Sequence, residues 1–409
     1  MSRRRVLILV LDSFGVGYSY DAGLFNDVGA DTLGHIAEYC YFNAANKNRY
    51  GPLRIPNLIS LGLGEVYRKI SGNFPFGIIE PIKILGSYGY ASEISSAKDT
   101  SSGHWELAGV PVLFQWDYFK DLKDSFSKTL LLEIQNQFQL PGFLGNCHAS
   151  GIKILDDFGE EHIKTKKPIV YTSSDSVFQV ACHEKEFGLL NLYKLCEGIR
   201  GILDKNNYNI TRVIARPFLG SYQGCFYRTG NRKDFSKPPL HKTVLQKLIH
   251  EKNGHVIAIG KTADIFAHLG ITKTVLSVGL DSLINQTIHE MQHAPGQSIV
   301  FSNFVDFDST WGHRRDVSGY AKGLEYFDSR LPEILNILKK EDLLIITADH
   351  GCDPTWSGMD HTREFIPILL YGKLIPVRFL GHRKTFSDIA QTISKYFSLS
   401  NMDYGVNML

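Results

Sequence analysis

Three apolar runs in this chain end in residues that hold metals or move protons. Val6 to Leu11 is followed at once by Asp12. Ile299 to Phe301 leads into NFVDFDSTWGHRRD, which carries Asp306, Asp308 and His313. Leu343 to Ile346 leads into TADHGCDPTWSGMDHTRE, with Asp349, His350 and His361. Any one of these means little, because an Asp at a strand end commonly caps the helix that follows. Jointly they matter, since functional groups in an open α/β sheet gather beyond the carboxyl ends of its strands. Carboxylates and imidazoles crowded at one point are costly to strip of water without a cation. Mixed Asp oxygen and His nitrogen ligands suit Zn2+ or Mn2+ better than Mg2+ or Ca2+. A pair of such ions, roughly 3.5–4 Å apart, is standard equipment for displacement at phosphorus.

A fourth stretch, KDTSSGHWE at 98–106, packs three hydroxyls between a Lys-Asp pair and Gly-His-Trp-Glu. It shows neither helical nor strand periodicity and reads as a loop. A Thr or Ser hydroxyl is a poor nucleophile until a base or a metal favours the alkoxide. Its chemistry therefore depends on whether the rest of the chain supplies that activator.

The elements that must position these groups alternate. Apolar runs at Val6 to Leu11, Val256 to Ile259, Ile299 to Phe301, Leu343 to Ile346 and Ile366 to Leu370 read as strands buried on both faces. Pro367 marks the last of them as an edge strand. Helical stretches at Val244 to Glu251, Gly319 to Leu338 and Phe386 to Tyr396 lie between or after them. The pattern predicts a doubly wound, mostly parallel α/β sheet over 1–107 and 238–409. Residues 108–237 differ: they are aromatic-rich, with short strands beside helices, and predict a smaller α+β cap domain inserted into the core.

Composition narrows the class. With 409 residues, 43% hydrophobic and 21% charged, a sizeable packed core is expected. The 44 basic and 42 acidic residues leave a net charge of +2, which argues against a nucleic-acid surface. Arg3, Arg4 and Arg5 form the tightest basic run and are expected to be solvated. The run after them is too short for a signal peptide core or a membrane span. Six scattered cysteines without a Cys-x-x-Cys pair predict reduced thiols and a cytoplasmic protein.

Several segments carry a closer likeness. LDSFGVG, GADTLGHIAE, KDTSSGHWELAGVPV, TSSDSVFQ, RVIARPF, RTGNR, NFVDFDSTWGHRRDV, TADHGCDPTW and DHTREFIPIL together resemble the phosphopentomutases of the alkaline phosphatase superfamily, end to end. The resemblance implies an alkaline-phosphatase-like core and an isomerase that transfers a phosphoryl group within a pentose phosphate. It implies that Thr100 is the residue phosphorylated. It places Asp12, Asp349 and His350 with Thr100 on one Mn2+, and Asp308, His313 and His361 on the other. Asp349 and His350 are neighbours, so for both to reach one ion the chain must already have left strand geometry. Asp306 is expected to orient a ligand rather than be one.

Asp175, Arg216, Arg232 and Lys261 are the implied substrate contacts: the Asp for ribose hydroxyls, the cations for the distal phosphate. The cap is expected to exclude water, which separates transfer from hydrolysis. The implied reaction interconverts α-D-ribose 1-phosphate and D-ribose 5-phosphate, and the 2-deoxyribose pair. Glucose 1,6-bisphosphate or ribose 1,5-bisphosphate would prime the threonine. A monomer binding neither nucleic acid nor membrane is expected. A metal-dependent phosphohydrolase, a phosphoglycerate mutase and a metal-stabilised sugar-phosphate binder remain the rival readings.

Overall fold

The computed structural model describes residues 3–173 and 176–409. The chain divides into two compact units, one running to Phe114 and resuming at Pro239, the other spanning Gln115–Pro238. Residues just past 107 are tied into the first unit, where the Val244 amide donates to the Ala108 carbonyl at 2.9 Å. Strands are numbered along the chain. The first unit holds β1 (Arg5–Leu11), β2 (Ser87–Ala91), β9 (His255–Ile259), β10 (Lys273–Val275), β11 (Ser298–Phe304), β12 (Asp342–Thr347), β13 (Ile366–Tyr371) and β14 (Phe379–Arg383). They form one sheet in the order β10-β9-β11-β1-β12-β13-β2-β14.

β1 runs parallel to β11 on one side and to β12 on the other. Every residue of β1, β11 and β12 is buried, and their central residues are apolar, as strands covered on both faces require. The sheet is thus α/β and mostly parallel, with β13 antiparallel to both its neighbours. β13 is an interior strand, which corrects the expectation from Pro367. The proline is tolerated because the β12 ladder begins only at Ile368, one residue later. Its carbonyl still accepts from the Thr347 hydroxyl at 2.7 Å. Arg5 is a second correction. It is buried and forked onto Asp342, with Nε to Oδ1 at 3.0 Å, and its Nη1 reaches the Met291 carbonyl at 2.6 Å. A charge at the start of a central strand is admissible because every donor it turns inward finds an oxygen.

The second unit carries β3 (Leu144–His148), β4 (Ile169–Thr172), β5 (Val177–His183), β6 (Arg212–Leu219), β7 (Tyr227–Arg228) and β8 (Lys233–Ser236). Their order is β3-β4-β5-β6-β7, with β8 also on β6. Period-two alternation sorts their side chains between two cores. Val170, Phe178, Val180 and Val213 pack with the helices Lys128–Phe138 and Leu189–Lys205. Ile169, Tyr171, Ala181 and Phe218 pack with Ile154 and Leu155 of the helix Lys153–Thr165.

His162 sits in the second of these cores with no exposure. Its Nδ1–H donates to the Lys167 carbonyl at 2.7 Å, and Nε2 accepts from the His183 amide at 2.9 Å. That arrangement needs the neutral ring, and burial holds its pKa down at about 4. The unfolded chain takes up a proton near pH 6.5 that the fold refuses, so stability present at pH 7 is lost as pH falls toward 4. The expected loss is about 3 kcal/mol at pH 4, read from urea unfolding of this unit. A His162→Gln variant should show a flatter pH dependence; an unchanged slope would contradict the assignment.

Candidate active site and metal centre

Beyond the ends of β1, β11 and β12 the chain turns into polar loops that meet. Asp12 is the first residue after β1 and is fully buried. Ser13 follows at φ 69, a left-handed conformation costly for a side-chain-bearing residue. The turn is held by the Ser13 amide donating to Asp349 Oδ1 at 3.0 Å and by the Cys352 amide donating to the Ser13 carbonyl at 3.0 Å. β12 ends at Thr347, so Asp349 and His350 lie past the strand and both face inward. Asp308 stands in a π-helical turn, Phe307–Gly312, with His313 at its end.

The three imidazoles are set in one way. His350 Nδ1 lies 3.1 Å from the Gly351 carbonyl, His313 Nδ1 2.7 Å from that of Met359, and His361 Nδ1 2.9 Å from that of Lys98. A carbonyl can only accept, so each ring carries a proton on Nδ1 and turns Nε2 to the centre. His350 Nε2 is 3.5 Å from Asp12 Oδ1 and 3.3 Å from Asp349 Oδ2. His313 and His361 Nε2 are each 3.3 Å from an Asp308 oxygen and 3.1 Å from one another. Three groups have ligand atoms within 4.8 Å of one another, Asp12–Asp349–His350, Asp308–His350–His361 and Asp308–His313–Cys352, so the expected first set is brought together and the expected second set is shared with His350 and Cys352.

Both Asp12 oxygens and Asp308 Oδ1 are buried and accept no hydrogen bond among the described residues, and Asp349 Oδ2 is buried between the His104 and His350 rings. Burial, with Asp349 and Asp308 close by, pushes the Asp12 carboxyl well above the usual range. Burial also acts against Asp308, but the neighbouring His361 and His313 outweigh it and hold that carboxyl well below the usual range. His361 is lowered by burial and raised more strongly by Asp308, to about 9. Protons are therefore standing in for positive charge. Carboxylate oxygens facing imidazole Nε2 atoms, which would shed those protons on binding metal, fit two divalent ions.

KDTSSGHWE is not the loop its lack of periodicity suggested. Thr100–Leu107 is a helix, capped by the Asp99 side chain, which accepts from the Ser101 and Ser102 amides. The cap satisfies the first-turn donors and sets Thr100 as the first helical residue. Thr100 Oγ1 lies 3.2 Å from His350 Nε2. The rest of the segment is structural, and composition alone could not reveal it. His104, fully buried, places Nδ1 2.9 Å from the Thr100 carbonyl and 3.0 Å from Asp349 Oδ2. Trp105 Nε1 donates to the Ile265 carbonyl at 2.9 Å. Glu106 accepts from the Ile94, Ser95 and Phe386 amides and from the Ser95 and Thr385 hydroxyls.

Gly103 brings this helix onto the metal loop. A Cβ there would stand 2.0 Å from the Asp349 carbonyl oxygen. Gly103→Ala must push the helix off the Asp349–His350 backbone, at an expected cost of about 1–3 kcal/mol in stability. A displacement on the order of 1 Å at Thr100 costs roughly a hundredfold in turnover. Steady-state rates and thermal unfolding check this; wild-type turnover in the alanine variant would show that the close approach is dispensable.

Lys261 follows β9 and is exposed, and its charge reaches Asp12 and Asp306. Asp306 has one buried carboxylate oxygen with no hydrogen-bond partner among the described residues. Arg216 lies on β6, with Nε donating to Gln179 Oε1 at 3.1 Å. Burial, then Arg232 and Arg228, lower its guanidinium to about 10. Arg232 is forked onto Asp234 at 2.7 Å on both contacts. Asp175 lies outside the described residues. Cys352, which sequence reasoning passed over, lies against Asp308 and His313.

The family model described as Metalloenzyme superfamily matches residues 4–401. A phosphopentomutase of Buchnera aphidicola is 60% identical over 99% of this chain and all of its own length. One from Yersinia enterocolitica is 59% identical over the same shares. The chain belongs to the phosphopentomutase family. It is therefore an isomerase of the phosphomutase kind and a metal-binding protein of the alkaline phosphatase superfamily. A solved Pyrococcus horikoshii structure covers 99% of this chain and all of that one, at 14% identity and a TM-score of 0.49. Among the described residues no helix is long and apolar enough to cross a membrane.

Proposed function

We propose that this phosphomutase interconverts α-D-ribose 1-phosphate and D-ribose 5-phosphate, and the 2-deoxyribose pair, with Thr100 carrying the phosphoryl group between turnovers. The observation that carries the reading is the Thr100 hydroxyl at the capped start of its helix, 3.2 Å from His350 Nε2 beside two buried carboxylates. Asp12, Asp349 and His350 would hold one Mn2+ with Thr100, and Asp308, His313 and His361 a second. Such ions, when bound, supply charge that neutralises phosphoryl oxygens and favours the alkoxide.

The residues then divide the work. Phospho-Thr100 gives its phosphoryl group to the free hydroxyl of the pentose phosphate. The Thr–O–P bond breaks, a sugar–O–P bond forms, and the sugar hydroxyl's proton is made up on the Thr100 oxygen left behind; the return step breaks the other sugar–O–P bond and reverses that proton transfer. The resulting bisphosphate returns its other phosphoryl group to the Thr100 oxygen, which restores the enzyme. Glucose 1,6-bisphosphate or ribose 1,5-bisphosphate loads the threonine at the outset. Asp175, Arg216, Arg232 and Lys261 are the proposed substrate contacts. In support, burial first, and then the nearby Arg232 and Arg228, lower the Arg216 guanidinium, an unfavourable setting that a bound phosphate would offset. The proposal includes a cytoplasmic monomer with no nucleic-acid or membrane partner.

The test follows ribose 1-phosphate with and without Mn2+ and bisphosphate, measuring ribose 5-phosphate and inorganic phosphate separately. Ribose 5-phosphate formed only with both additions supports the proposal. Phosphate release without interconversion would replace it with a hydrolase.

A further inference from the structure

Cys352 lies two residues past His350, buried, and the ion roles proposed above leave it unused. Its sulfur, one Asp308 oxygen and one His313 nitrogen all lie within 4.8 Å of one another. Three further observations hold it there. The Cys352 amide donates to the Ser13 carbonyl at 3.0 Å, fixing the residue in the metal-site turn. Gly312 has no side chain, and a Cβ there would stand 3.1 Å from Cys352 Sγ, so the glycine opens the π-turn to the sulfur. Arg315 Nη1 donates to Sγ at 3.2 Å, while the thiol faces the Asp360 carbonyl at 3.8 Å, so both sides of the sulfur are held. Asp308 Oδ1 is buried without a hydrogen-bond partner among the described residues, and His313 Nε2 is turned inward by its Met359 bond.

We infer that Asp308, His313 and Cys352 form a carboxylate–imidazole–thiolate site for a thiophilic divalent ion such as Zn2+, Cd2+ or Co2+, overlapping the second ion position. Ligand atoms about a tetrahedral zinc sit roughly 3.3–3.8 Å apart, given metal bonds of about 2.0–2.3 Å. The three groups need close by only about 1 Å. Soft thiolate selects such ions, whereas manganese prefers oxygen and nitrogen donors. The thiol proton is released to solvent as the sulfur–metal bond forms. The enzyme thus contains its own point of competition: a soft ion takes Asp308 and His313 out of the hard-ion set. The inference rests on the assignment of Asp308 and His313 to an ion, but not on the reaction.

The test uses Co2+ or Cd2+ titrated into the metal-free full chain, read by thiolate-to-metal charge-transfer absorption. Wild type should show one thiolate–metal band per chain, lost in Cys352→Ser and Cys352→Ala and weakened at least tenfold in apparent affinity by Asp308→Asn. Absence of the band in wild type, which needs no variant to fold, would overturn the inference. So would an undiminished band in both Cys352 variants, because another of the six cysteines would then be the ligand. A band present alongside failed pentose phosphate interconversion would sink the proposed reaction and leave this site standing.

Discussion

Thr100→Ala is expected to abolish interconversion while the protein still binds its metals in near wild-type stoichiometry. The hydroxyl is 3.2 Å from His350 Nε2, but the helix holding it is fixed by Asp99, Gly103 and Glu106 rather than by Thr100 itself. Removing one oxygen therefore removes the nucleophile and leaves the scaffold. Loss of a covalent nucleophile costs on the order of 10^6 in turnover. Thr100→Ser should retain measurable turnover, because the chemistry needs the oxygen and the methyl only restricts its rotamer. Metal analysis and product assay on both variants check this. Turnover in the alanine variant within tenfold of wild type would remove Thr100 from the chemistry.

Asp12→Asn should change stability in opposite directions depending on metal. In chelator, the wild type buries a carboxyl with no hydrogen-bond partner among the described residues, close to Asp349 and Asp308, and pays for it. The neutral amide needs neither the proton that the raised carboxyl pKa calls for nor tolerance of the neighbouring charges, and the metal-free variant should be more stable by about 1–3 kcal/mol. With a divalent ion at about 100 times its dissociation constant, wild type gains about 2.7 kcal/mol for that site. The variant should lose most of this gain and at least a thousandfold in turnover. Thermal unfolding with chelator and with Mn2+ separates the two effects. A variant destabilised in chelator yet fully responsive to Mn2+ would show that Asp12 is a structural carboxylate.

The sheet was legible because its central strands are buried on both faces and so carry apolar runs through their middles. Val6 to Leu11 and Leu343 to Ile346 could hardly be anything else. The candidate ligand residues were legible only jointly: each Asp or His after a strand could be a cap, but three such strand ends in one sheet bring them together. What escaped was set by tertiary contact. The Thr100 helix has no apolar stripe, because its inward positions are a glycine against a carbonyl, a histidine against a carboxylate and a glutamate gathering five donors. Such a helix follows from what surrounds it, and its one local signal was Asp99 at the cap position. Arg5 read as a solvated charge because its partner, Asp342, stands 337 positions away. Pro367 read as an edge marker because register, which excuses it, is a property of the neighbouring strand. Cys352 carried no spacing motif, and only the fold puts it beside Asp308.

The strand order has a consequence for how the polypeptide is made. β1 pairs only with β11 and β12, and β2 only with β13 and β14. Neither early strand has a sheet neighbour until Ser298 has left the ribosome, about 290 residues after β1 ends. At roughly 5–20 residues per second, that leaves an apolar strand without its partners for on the order of 15–60 seconds. The unit from Gln115 to Pro238 is contiguous and has cores of its own, so it can mature in that interval. Vectorial synthesis thus completes the insert first and closes the reaction centre last, and in between, the first strand is the part of the nascent chain left without its sheet partners.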